Sequence, residues 1–247
     1  MVGGHFDSYT LKARWLPAAL VTVPVLMLML STIELSALLG SVGPATASLL
    51  FGVVASEIAR SRGRKIEREL AGQWGGMPTT RALRAVAGAD TEVRRRRLQL
   101  EAFTGRKLPG FAEQEADPRG ADEAIAQAVR TALALLRSAA EAGTDLLQSE
   151  NTSYGFRRNL FALKPFGLVV SAVALGIAVS VACVGLLSWL VVVPILLVQV
   201  LVTALWVLVA RQSWVREQAE VFADRFFTVL DAATTLAAPV AAKPGRS

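Results

Sequence analysis

Pro165–Ala210 reads PFGLVVSAVALGIAVSVACVGLLSWLVVVPILLVQVLVTALWVLVA and contains no Asp, Glu, Lys or Arg. A bilayer core about 30 Å thick is crossed by roughly 20 apolar residues in a helix rising about 1.5 Å per residue. The run is therefore long enough for two crossings, at about 165–186 and 190–210, with a turn near Gly185 to Trp189. Trp189 suits the headgroup level, where amphipathic rings prefer to sit. Toward the N-terminus, Trp15–Ile33 and Leu35–Ser56 are also free of charge and predict spans at about 15–34 and 42–59. Lipid offers no partner to backbone N–H and C=O groups, so runs this long and this few are helices and not barrel strands.

The expected fold class is therefore an all-α integral membrane protein, with two transmembrane helical hairpins (15–59 and 165–210) flanking a small helical cytoplasmic domain (60–164). Residues 1–14 form a cytoplasmic N-terminus, 211–231 an amphipathic cytoplasmic helix and 232–247 a disordered tail. Pro17, Pro24 and Pro194 fall in or beside the spans, where neighbouring helices can satisfy the carbonyls they free. Orientation follows from the flanks. Lys12 and Arg14 precede the first span, while Arg60, Arg62, Arg64 and Lys65 follow the second. Arg157, Arg158 and Lys164 precede the third, and Arg211 and Arg216 follow the fourth, whereas neither hairpin turn carries a Lys or Arg. The positive-inside rule then places both termini and the centre in the cytoplasm. Cleavage of a signal peptide at Ala45-Thr46-Ala47 is rejected, because it would strand a short second span and put the first arginine cluster outside.

Composition narrows the chemistry. The formal net charge is +6, yet 19 of the 26 Lys and Arg lie between Arg60 and Lys164 and the rest lie near the two ends. A bilayer imposes this segregation without a nucleic-acid partner. The densest cluster, Arg94–Arg97, fits a solvated or lipid-facing helix and lacks the interleaved aromatics of a nucleic-acid surface. Cys183 and His5 are the only residues of their types. That removes a disulfide framework, a Cys/His metal site and the usual general base, so neither enzyme activity nor a cofactor is expected.

The central region reads as helices separated by turns. Ile66, Leu70 and Trp74 continue the second span inward until Gly75-Gly76-Met77-Pro78 breaks it. Thr79 or Thr80 is expected to cap a short helix holding Leu83 and Val86. Thr91–Thr104 is a second helix, with Val93, Leu100 and Phe103 on one side. Loops are expected at Gly105–Gly110 and Asp117-Pro118. A long helix at 122–149 carries Ile125, Val129, Leu133, Leu136 and Ala140 on one face. The stretch from Gln212 to Leu230 continues the fourth span as an amphipathic helix marked by Trp214, Phe222, Phe226 and Leu230, which either lies on the membrane or packs on the central domain.

Two segments concentrate candidate ligand-binding residues. In Trp74-Gly75-Gly76-Met77-Pro78-Thr79-Thr80-Arg81, paired glycines permit close backbone approach, and Thr79, Thr80 and Arg81 at a helix start suit an anion. The alternative is a helix-breaking turn with a packed tryptophan. In Asn151–Leu160, which connects the long helix to the third span, Tyr154, Arg157 and Arg158 suit a phosphate, which guanidinium meets in a bidentate way. The alternative there is an interfacial anchor. Glu34, in the first hairpin turn, is a candidate for a pore mouth or cation pathway.

WGGMPTTR at 74–81, ADPRGADE at 116–123 and NTSYGFRRNLFALKP at 151–165, in this order between two helix pairs, resemble an uncharacterised family of bacterial membrane proteins. The resemblance covers the central region and its junctions. It implies the four-helix architecture and a shared functional role for the motifs, with no activity attached. The expected function is a cytoplasmic domain that senses a phosphate-bearing small ligand or a protein partner and alters the membrane bundle. By analogy of architecture, the output is a pore or membrane-disrupting effector of stress or defence. A pore would require a homo-oligomer, for which Gly176/Ser180 and Ala178/Ala182 offer small-residue faces. The alternative is a non-catalytic membrane scaffold that docks a cytoplasmic protein.

Overall fold

The computed structural model describes residues 13, 15–32, 42–88, 91–139, 143–186 and 188–237. Among them the chain is helical throughout, with no strand. The helices are α1 (Leu16–Thr32), α2 (Val42–Gln73), α3 (Pro78–Arg81), α4 (Thr91–Thr104), α5 (Phe111–Ala116), α6 (Pro118–Ala139), α7 (Thr144–Cys183), α8 (Trp189–Ala204) and α9 (Gln212–Ala237). A π-helical turn at Leu205–Val209 follows α8. Two compact units result: unit one holds 1–69 and 152–216, and unit two holds 70–151 and 217–247.

Thr144–Cys183, which belongs to unit one from residue 152 onward, and Trp189–Val209 are long and apolar enough to cross a membrane. Their large aliphatic side chains face outward, Leu190 being 89% and Val169 62% exposed. Water would penalise such a surface, whereas lipid would not. Gly185, at φ +70°, makes the turn before Trp189. The inner side of the unit is a cluster of Val21, Ala59, Leu160, Leu163, Val202, Trp206 and Ala210. Small residues set its spacing, since Gly167 lies directly against the Trp206 ring. Gln199 is buried and donates through Nε2 to the Pro24 carbonyl at 3.3 Å. Its Oε1, Ser171 Oγ and Trp206 Nε1 are buried without a partner among the described residues.

α1 covers Leu16–Thr32 of the first expected span at 15–34. The first hairpin turn, with Glu34, lies outside the described residues. Two expectations about continuity change. Asn151–Leu160 is not a separate connector: α7 runs unbroken through it and through Pro165. The fourth apolar helix does not continue into α9, because the π-helical turn ends at Ala210 (φ −72°, ψ 75°). Lys164 Nζ donates to the Ala210 carbonyl at 3.0 Å, giving a cation to one of the acceptors such a helix end exposes.

Unit two is built on the amphipathic face of α6. Ile125, Ala128, Val129, Ala132 and Leu136 are buried at three- and four-residue intervals. Leu83, Leu100 and Leu108 pack with them, as do Phe226, Phe227 and Leu230 of α9. The marks Phe226 and Leu230 thus face a protein core, and α9 extends past the expected end at 231 to Ala237. Residues 238–247 of the expected tail lie outside the described ones. The single helix expected at 122–149 is divided, with Gly143 at φ +87° immediately before α7. A positive φ lies outside the right-handed helical region, so no helix runs through the residue, and glycine adopts it without steric cost. Ala140 also lies outside the described residues.

Candidate functional site

The first candidate motif is used by the fold of unit two. Gly75 (φ +71°) and Gly76 (φ +115°) end α2, and the Gly76 amide donates to the Ala71 carbonyl at 2.7 Å. Left-handed glycines after the last turn are the common way to satisfy terminal carbonyls. Trp74 is buried beside them, its Nε1 without an acceptor among the described residues. Met77 then takes the N-cap position and Pro78 opens α3. Proline suits that place because the N–H it lacks would have been unpaired. Thr79 and Thr80 are pushed inside the helix and buried, so neither caps it, while Arg81 points outward at its end. α3 ends at Arg81, so Leu83 and Val86, expected within it, lie beyond its end, the first buried and the second exposed.

The acidic motif is tied to the same corner. Asp117 Oδ1 accepts from the Gly120 amide at 2.9 Å and Pro118 opens α6, which makes the segment a helix start. Asp122 receives Arg84 Nε at 2.8 Å and Nη2 at 2.6 Å, and these bonds hold the guanidinium firmly protonated. Gly76 is the neighbour that permits it, since a Cβ there would stand 2.7 Å from Arg84 Nη2. Arg84 thus links the glycine pair to the acidic motif. Sequence spacing assigned it no role, because its partner is 38 residues away. Arg97, read as part of a solvated cluster, is also an internal brace, donating to the carbonyls of Leu83 at 2.6 Å and Pro109 at 2.5 Å.

The second candidate motif lies in unit one and divides into two halves. Arg158 Nη1 donates to Glu67 Oε2 at 2.6 Å, and Tyr154 Oη donates to Glu67 Oε1 at 3.2 Å. Burial, reinforced by the Glu67 carboxylate, raises the Tyr154 phenol far above its usual range, so it remains a donor. Asn159 Nδ2 donates to the Ala13 carbonyl at 2.7 Å, and its Oδ1 faces Arg158. The groove needs a glycine on α2, because a Cβ at Gly63 would stand 2.1 Å from Asn159 Oδ1. Arg158 and Tyr154 are thereby committed to joining α7 to α2. Glu67 is the partner that sequence reasoning missed, at a separation of 91 residues.

Arg157 points elsewhere. It lines a cavity of about 360 Å³ with Leu16, Thr152, Ser153, Phe156 and Trp214. Its Nη1 donates to the Trp214 carbonyl at 3.0 Å, and its guanidinium lies 4.8 Å from the centre of the Trp214 ring. Phe156 meets the same indole edge-on, with ring centres 6.2 Å apart. A cation held over an aromatic face beside two hydroxyls and an apolar wall of Leu16 and Phe156 can take a ligand that is anionic at one end and apolar at the other. Of the nine candidate ligand residues, Arg157 alone lines this cavity; Trp74, Gly75, Gly76, Thr79, Thr80 and Arg81 belong to the other unit.

Among the described residues, no group of three His, Cys, Asp or Glu side chains is placed to hold a metal ion. Comparison with protein-family models, with curated proteins and with solved structures finds no match.

Proposed function

We propose that this chain is a multi-pass membrane protein of four spans, at about 15–34, 42–59, 165–186 and 190–210, with both termini and the central helices in the cytoplasm. It binds a phosphate-bearing ligand at Arg157 and transmits occupancy to the membrane bundle. The observation that carries this is the position of Arg157 on α7. One continuous helix holds the cation at its cavity and then forms an apolar segment. A ligand that orders residues 152–157 acts on the same helix that enters the membrane. Polar side chains buried among the apolar helices, Gln199, Ser171 and Thr22, supply what a gated path would need. The resemblance to the bacterial membrane family and the basic flanks of the apolar runs agree with this arrangement.

The test is thermal stability of the purified full chain, with and without soluble phosphate esters and anionic phospholipids, in wild type and Arg157→Gln. A ligand at a hundred times its Kd adds about 2.7 kcal/mol, which is about 5 °C or more for a chain of this size. The expected shift is present in wild type and lost in the variant. Flux from vesicles with that compound then tests the output.

A non-catalytic scaffold is the second reading, and one observation in unit two favours it. Val86 and Leu98, 55% and 57% exposed, border a shallow depression of about 240 Å³ with Arg94, Arg97 and Glu101. Such an apolar-and-basic surface suits an acidic, amphipathic protein partner. No thermal shift with any phosphate compound would select this reading over the sensor.

A further inference from the structure

We infer that the Arg157 cavity is a binding site for an anionic phospholipid, with the lipid phosphate on the guanidinium and the Thr152 and Ser153 hydroxyls. The inference rests on the proposed membrane placement and names the ligand of that site.

Three features select a lipid over a soluble phosphate ester. The first is level. Leu16 opens the first apolar run, Arg157 lies eight residues (about 12 Å along a helix) before Pro165, and Trp214 lies four residues after Ala210. All three come from the basic ends of their segments, and tryptophan and arginine at that depth meet headgroups. The second is the wall. Half of the lining is Leu16, Phe156 and Trp214, and Leu16 is 50% exposed. A free phosphate would leave this leucine in water, whereas a glycerolipid covers it with the start of an acyl chain. The third is preorganisation. The Trp214 carbonyl and ring fix the guanidinium before any ligand arrives, so binding orders no long flexible side chain.

The test uses the full chain reconstituted in nanodiscs of phosphatidylcholine with one-tenth phosphatidylglycerol, extracted in mild detergent, with the retained lipid quantified by mass spectrometry. Wild type should retain phosphatidylglycerol over phosphatidylcholine by roughly tenfold or more beyond its share of the bilayer, as a charge-assisted hydrogen-bonded contact provides. Arg157→Gln should lose the enrichment and Arg157→Lys should keep part of it. Ser153→Ala, which leaves the guanidinium brace intact, should reduce it a fewfold and guards against a folding defect. Enrichment that survives Arg157→Gln while Ser153→Ala changes nothing overturns the site.

Parallel samples carry glycerol 3-phosphate or inorganic phosphate at millimolar concentration. If these stabilise wild type through Arg157 and no phospholipid is enriched, the lipid assignment falls and the sensor proposal stands. If neither lipid nor soluble phosphate binds, both fall.

Discussion

Gly167→Ala sets two effects of opposite sign against each other. Alanine is the better helix former, by about 0.5–1 kcal/mol in a helix interior, so propensity alone predicts a more stable protein. Packing predicts the reverse. A Cβ at 167 would stand 2.2 Å from Cε2, 2.4 Å from Cζ2 and 2.6 Å from Cδ2 of Trp206. Carbon atoms in contact prefer about 3.5–4.0 Å, so the two helices must part by more than about 1 Å. The indole cannot yield as a flexible chain end would, because it is rigid and fully buried among Leu163, Val202 and Ala210. Overpacking of this kind costs about 1–3 kcal/mol, occasionally more, and a direct ring clash belongs at the upper end.

The expected net loss is about 2 kcal/mol, which lowers Tm by about 4–8 °C. Thermal unfolding in detergent, followed by circular dichroism, reads it. Gly176→Ala in the same helix is the internal control. Nothing lies within 4 Å of a Cβ there, so only propensity acts and Tm should stay level or rise. Trp206→Leu should cost less in the Gly167→Ala background than in wild type, since the clash disappears with the ring. A Gly167→Ala protein as stable as Gly176→Ala would refute the close approach of α7 to Trp206.

Three other outcomes follow from the contacts described. Glu67→Ala should lower stability by about 2 kcal/mol, reduced from the cost of breaking a fully buried pair because Glu67 is partly exposed. Adding Arg158→Ala to it should cost less than the two single changes summed, and independent costs in that cycle would show that the pair does not couple α2 to α7. Tyr154 should give stability an alkaline limit: its folded-state pKa is raised, so above about pH 10 the unfolded chain releases a proton that the folded chain keeps. Stability of wild type relative to Tyr154→Phe should then fall by about 1.4 kcal/mol per pH unit, and parallel pH profiles for the two would contradict the buried phenol. Asp122→Asn should weaken unit two by about 1–2 kcal/mol by loosening the Arg84 fork, seen as faster amide exchange in 70–88; unchanged exchange there would exclude the fork as the link between the glycine pair and α6.

Much of the architecture is legible in the chain because burial by lipid and by an amphipathic face both leave a local, periodic trace. The run from Pro165 to Ala210 needs no tertiary information to be read as two apolar helices, and the spacing of Ile125, Val129 and Leu136 announces the buried face of α6. The turns at Gly75-Gly76, Asp117-Pro118 and Gly185 are legible for the same reason, since backbone restrictions act within a few residues. Tertiary structure decided which polar groups were spoken for. Arg157 and Arg158 are adjacent and identical, yet helical rotation of about 100° per residue sends one to Glu67 on α2 and the other to the Trp214 cavity. Thr79 and Thr80 looked available and are buried, while Arg97, which looked solvated, and Arg84, to which spacing assigned no role, brace the corner around Leu83. Apolar burial follows from composition and period along one helix. The pairing of a charge depends on a partner brought near by folding, and a single chain carries no local sign of which partner that will be.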